Sequence, residues 1–80
     1  MARYAKESRL KPLNILKKAE EFFGPGGLGL EVGEQGLLSA HFEGGGGYVS
    51  IWVRKADKGS EVELETREWD YQVRQFMGKI

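Results

Sequence analysis

The chain has 80 residues, twelve basic and twelve acidic side chains, zero formal net charge and no cysteine. That length makes one domain, residues 1–80, with no disulfide framework, no thiolate metal site and no run of about 18 apolar residues to span a bilayer. The start of the chain lacks the apolar stretch of a signal peptide, so a soluble domain in a reducing cytoplasm is expected.

The charge is unevenly placed. Residues 1–18 carry Arg3, Lys6, Arg9, Lys11, Lys17 and Lys18 against Glu7 alone, and the remainder is correspondingly acidic. Residues 1–8 read as a basic N-terminal lead-in, an arm of the kind that meets phosphates. A helix follows from Lys11 or Pro12 to Phe23. Pro12 fits the first turn, where its missing N–H costs nothing, and Ser8 is an alternative N-cap. Ile15, Leu16, Ala19, Phe22 and Phe23 make one apolar stripe at helical period. Gly24, in a left-handed cap, and then Pro25 end the helix. Its basic start and acidic end oppose the helix dipole.

The segment Gly24-Pro25-Gly26-Gly27-Leu28-Gly29 spells G-x-G-x-x-G, but the dinucleotide fingerprint needs a strand before and a helix after. Here the order is reversed, and the segment reads as a helix end and a connection. No cofactor is expected.

Residues 28–66 then alternate with period two. Leu28, Leu30 and Val32, then Leu38, Ala40 and Phe42, then Val49, Ile51 and Val53, then Val62 and Leu64, predict four antiparallel strands with one buried face. A turn at Glu34-Gln35-Gly36 pairs Leu30 with Ala40 and Leu28 with Phe42. The glycine run 44–47 pairs Glu43 with Tyr48 and forms a mobile hairpin tip. A turn at Lys58-Gly59 pairs Val53 with Leu64 and Arg54 with Glu63. All three registers put the same set inward, which matters because a one-residue slip inverts a strand. Glu61, Glu63 and Glu65 then lie on the last strand, an edge guarded by charge. Thr66 caps a second helix bearing Trp69, Val73, Phe76, Met77 and Ile80 on one face, with Gly78 closing it. A fifth strand through Trp69, Tyr71 and Val73 is the alternative. The expected fold is α+β, a two-layer sandwich in the order α-β-β-β-β-α, with a four-stranded antiparallel meander and both helices on one face.

Function rests on the open face of that sheet. His41 and Glu43 project together, but two ligands are too few for a zinc site, so no metal is expected. Ser39 and Ser50 lie near His41, a weak arrangement for nucleophilic catalysis, and the expectation is not an enzyme. Tyr48 and Trp52 sit four apart on a central strand, flanked by Leu37 and His41, with Arg54 beyond. An exposed aromatic patch on a sheet marks a partner surface. The expected function is a small binding or assembly module, a homodimer or a complex with a protein partner through Leu37, His41, Tyr48, Trp52 and Arg54. The alternative is single-stranded nucleic-acid binding through those aromatics and the basic arm. For that alternative, Val49 to Arg54, Glu63 to Thr66 and the Trp69 helix resemble in pattern the strand–strand–helix ending of small single-stranded-DNA-binding coactivator domains. The resemblance covers about a third of the chain and includes no diagnostic motif.

Overall fold

In the computed structural model, which describes residues 2–80, the alternating stretches become four consecutive strands and the N-terminal segment supplies a fifth. The elements are β1 (Ala2–Ser8), α1 (Pro12–Phe23), β2 (Glu31–Gly36), β3 (Ser39–Gly44), β4 (Gly47–Ala56), β5 (Gly59–Arg67) and α2 (Asp70–Met77). They form one antiparallel sheet in the order β1-β5-β4-β3-β2. Both helices add to a single core with Ala40, Phe42, Val49, Ile51, Val53, Val62 and Leu64 of the sheet. The fold is α+β, as the pattern predicts, but with five strands rather than four.

The fifth strand corrects the largest expectation. Residues 2–8 are not a lead-in but β1, paired with β5 from Ala2↔Thr66 to Ser8↔Ser60. Met1 lies outside the described residues. β5 is therefore interior, and Glu61, Glu63 and Glu65 do not guard an edge. The strand was hidden because only Tyr4 among its helix-facing residues is bulky and apolar. The other anchors are polar: Tyr4 donates to Asp70 Oδ2 at 2.8 Å, Ser8 Oγ donates to the Ile80 carbonyl at 2.7 Å, and Lys6 Nζ donates to the Met77 carbonyl. All three partners lie in or just beyond α2. The ammonium sits at that helix's C-terminal end, where the helix dipole favours a cation.

α1 runs over the predicted residues, with Ile15, Ala19 and Phe23 fully buried. Phe23 meets Phe42 at 5.6 Å between ring centroids and Phe76 at 5.2 Å, so one ring joins α1, the sheet and α2. Full burial of each such ring contributes about 1.5–3 kcal/mol. Gly24 is not left-handed, with φ −75°. Its glycine is required by proximity instead, since a Cβ there would stand 2.5 Å from the Glu20 carbonyl oxygen.

Two hairpin registers differ from expectation, by an even step along β4–β5 and along the outer part of β2–β3, which preserves the faces there, and by an odd step in β2 beyond its irregularity. The β2–β3 turn is Leu37-Leu38, so Val32 rather than Leu28 faces Phe42, and an irregularity between Val32 and Gln35 shifts the ladder by one residue. β2 is the far edge strand, and Leu28 and Val32 remain 39% exposed while Leu30 is buried. The β4–β5 turn is Asp57-Lys58, which pairs Val53 with Val62 and Arg54 with Glu61. Gly59, at φ 135°, sits against the backbone of Ser8 and Arg9, an approach that β1 imposes and local sequence does not reveal.

The β3–β4 tip matches its predicted register, Glu43↔Tyr48 and Gly44↔Gly47. Gly45 and Gly46 have φ of 59° and 79°, as a primed two-residue turn requires. The tip is not free-standing: Trp69 Nε1 donates to the Gly44 carbonyl at 2.9 Å and its ring lies over Gly45. Thr66, expected as a helix cap, is a buried β5 residue whose hydroxyl donates to the Tyr48 carbonyl at 2.8 Å. Trp69 takes the cap position, reached through Glu68 in a left-handed conformation at φ 77°. The helical reading of the C-terminal segment holds, with Val73 and Phe76 buried and Trp69, Met77 and Ile80 packed at the rim.

Two predictions follow from these contacts. A Cβ on Gly47 would come within 2.0 Å of the Arg67 carbonyl oxygen, whereas one on Gly46 meets open space. Gly46→Ala is expected to cost about 1–2 kcal/mol for its left-handed backbone, and Gly47→Ala clearly more, read from urea midpoints. Separately, the hydrogen bond to Asp70 holds the Tyr4 phenol above its ordinary pKa, with desolvation in the same direction. A raised folded pKa means the contribution is complete below the ordinary phenol pKa of about 10 and is lost as pH rises through the folded value. In an ultraviolet titration one of the three tyrosines is expected to ionise late, and Tyr4→Phe to remove that late component.

Candidate functional site: the open sheet face

The sheet has one face under the helices and one in solvent, and parity on β4 decides which residue joins which. Val49, Ile51 and Val53 are buried, while Trp52 is 39% exposed in the centre of the other face. Trp52 lies between Ser39 of β3 and Glu63 of β5. It walls two clefts. One, of about 510 Å³, is lined by Arg3, Leu38, Arg54, Glu61 and Glu63; the other, of about 480 Å³, by Glu34, Gln35, His41, Glu43 and Ser50.

β1 contributes a side chain that sequence reasoning missed. The Arg3 guanidinium lies 5.7 Å from the centroid of the Trp52 ring, and its Nε is 3.8 Å from Glu65 Oε2. The face thus already holds one cation against its indole. Such a contact at a partly exposed site is worth about 0.5–1 kcal/mol. The only available signal was alternation in residues 2–8, with Arg3, Ala5 and Glu7 on one parity and Tyr4 on the other.

On β3, His41 is held from both sides. Its Nδ1 is 2.6 Å from Ser50 Oγ and its Nε2 is 3.0 Å from Glu43 Oε2. An ionised carboxylate only accepts, so in the neutral ring Nε2 carries the hydrogen and Ser50 donates to Nδ1. The ring stacks on Tyr48 at 5.6 Å and 28°. A serine–histidine–glutamate chain suggests acyl transfer, which also needs donors for a developing oxyanion. Ser50 lies on β4 between β3 and β5, where strands on both sides engage the backbone N–H groups. The chain therefore fixes an imidazole flat against a phenol ring rather than exposing an activated hydroxyl. Among the described residues no group of three or more acidic, histidine or cysteine side chains is placed to hold a metal ion. Among them also no helix is long and apolar enough to cross a membrane.

Of the five residues singled out from sequence, His41, Tyr48, Trp52 and Arg54 share this face. Leu37 does not join them; it stands 89% exposed at the β2–β3 turn. Arg54 pairs with Glu61 rather than Glu63. By register, Glu7, Glu31, Glu43, Glu61, Glu63 and Glu65 project on this side against Arg3, Arg54 and Arg67. With Glu34 of the second cleft added, seven carboxylates face three guanidiniums on this side, an excess of four negative charges.

Comparison of the chain with models of protein families, with curated proteins and with solved structures returned no match.

The two tryptophans divide fold from surface. Trp69→Ala is expected to cost about 3 kcal/mol by emptying the rim of the core and freeing the Gly44 carbonyl, and Trp52→Ala about 1 kcal/mol or less. Chemical denaturation of the two variants checks the contrast.

Proposed function

We propose that this chain is a small, non-enzymatic binding and assembly module whose open sheet face takes a cationic segment of a protein partner. The observation that carries the reading is Arg3 on Trp52. A guanidinium already rests against the exposed indole and a neighbouring carboxylate, and Glu63, in no ion pair among the described residues, lines the same cleft. An incoming arginine or lysine finds the same chemistry in the clefts on either side, beside Glu63 and beside Glu43.

Charge supports this occupant over the others the sequence suggests. A second copy stacked face to face would set carboxylates against carboxylates, which costs more than apolar contact around one tryptophan returns. Phosphates of a single-stranded nucleic acid meet the same repulsion. The basic arm that would offset it is β1, where Arg3 and Lys6 are already engaged by Glu65 and the Met77 carbonyl.

Titration of the Trp52 indole resonance with a short arginine-rich peptide tests the reading. Saturable shifts are expected, stronger at low salt, with Trp52→Ala weakening the affinity about five- to thirtyfold, equivalent to about 1–2 kcal/mol. Saturable binding of a single-stranded oligonucleotide with no response to the peptide would transfer the face to nucleic acid. No response to either would remove the proposal.

A further inference from the structure

The two edges of the sheet are built differently. β2 is blunted: it is six residues long, contains Gly33, ends in Gly36, and its ladder breaks register between Val32 and Gln35. Bulges and irregular geometry are common protections of an edge. β1 has none of these. It runs seven residues without glycine, proline or bulge, in continuous register with β5, and among the described residues no strand lies on its other side. Alternate residues of β1 therefore turn their N–H and C=O groups outward, the template on which a further strand pairs. Inward lysines often guard such an edge. Here Lys6 Nζ is occupied by the Met77 carbonyl, so the charge is held at the end of α2 and away from the rim.

The sequence of β1, Ala-Arg-Tyr-Ala-Lys-Glu-Ser, is complementary to itself in reverse about Ala5. From this we infer that β1 pairs antiparallel with β1 of a second copy of this chain, with Ala5 opposite Ala5, joining two five-stranded sheets into one. In that register Arg3 of each copy faces Glu7 of the other on the open face, twice by symmetry. Tyr4 faces Lys6 on the helix-covered face, and Ala2 faces Ser8. Two-fold pairing centred on a residue is allowed whichever parity of β1 points outward, because narrow and wide pairs alternate along an antiparallel ladder. Ala5 at the centre keeps the close approach clear. The contact is isologous, so it closes at two copies, and the blunted β2 edge stops further growth. The inference shares Arg3 with the cationic-partner reading but rests on the main-chain groups of the open edge, and its readout of molar mass without peptide separates the two.

Charge exchange tests it, read as molar mass by sedimentation without any peptide present. The native chain is expected to populate a dimer at concentrations up to roughly millimolar. In Arg3→Glu both cross-copy pairs become glutamate on glutamate, and in Glu7→Arg both become arginine on arginine. Each variant alone is expected to raise the dimer dissociation constant about tenfold or more. Mixing the two variants restores two attractive pairs and should give a heterodimer. The Arg3→Glu/Glu7→Arg double variant should dimerise like the native chain. Loss of folding in a single variant cannot mimic rescue on mixing, and concentration-dependent protection of alternate β1 amides from hydrogen exchange gives a second readout. A native chain that stays monomeric throughout overturns the inference. So do single variants that dimerise undiminished, or a mixture that gains nothing.

Discussion

The alternation of β4 between two environments is the constraint on which the rest of this fold depends. Val49, Ile51 and Val53 enter the core, and Tyr48, Ser50, Trp52 and Arg54 face the other way. Because β4 is flanked on both sides, its register fixes the height of every neighbouring row. One slip would carry tryptophan and arginine under the helices and leave isoleucine in water, a loss of several kcal/mol of burial. The aromatic and charged character of the open face is therefore a consequence of how the core is made.

The core itself is closed by aromatic contact between elements far apart in sequence. Phe23 from α1, Phe42 from β3 and Phe76 from α2 meet within 5.2–5.6 Å, and Phe22 adds an edge-on contact to Phe23 at 4.9 Å. Polar groups buried among them are all partnered among the described residues. Ser60 donates to the Leu10 carbonyl and Thr66 to the Tyr48 carbonyl, so hydroxyls on the buried side of β5 tie it to the connection after β1 and to β4. Such satisfied contacts fix which arrangement forms more than they add to stability.

Legibility in the sequence followed the strength of local pattern. α1 and the β3–β4 hairpin were readable because proline, an apolar stripe and a glycine pair each point to one structure. Parity survived even where turns were misplaced, since Asp57-Lys58 and Lys58-Gly59 differ by an even change of pairing. The β2–β3 turn was harder: Gly36 invited a left-handed position, yet the chain turns one residue later on two leucines that local propensity does not favour. β1 was the least readable, because its place is set by hydrogen bonds to residues more than sixty positions away. With it went Arg3, and so the cation on Trp52. The candidate face was thus half visible: the aromatics followed from β4, the guanidinium did not.

The attachment of β1 to β5 and α2 has a consequence for the order in which the protein takes shape during synthesis. The strand leaves the ribosome before the other elements of this fold, yet the hydrogen bonds that hold it are made to residues 60–80, which follow them. Until then α1, β2, β3 and β4 must collapse with β4 as a temporary rim, while β1 waits without a partner strand. Arg3, Lys6 and Glu7 keep that waiting segment hydrated and poor in apolar surface, a use for its polar sequence in a state the finished fold no longer displays.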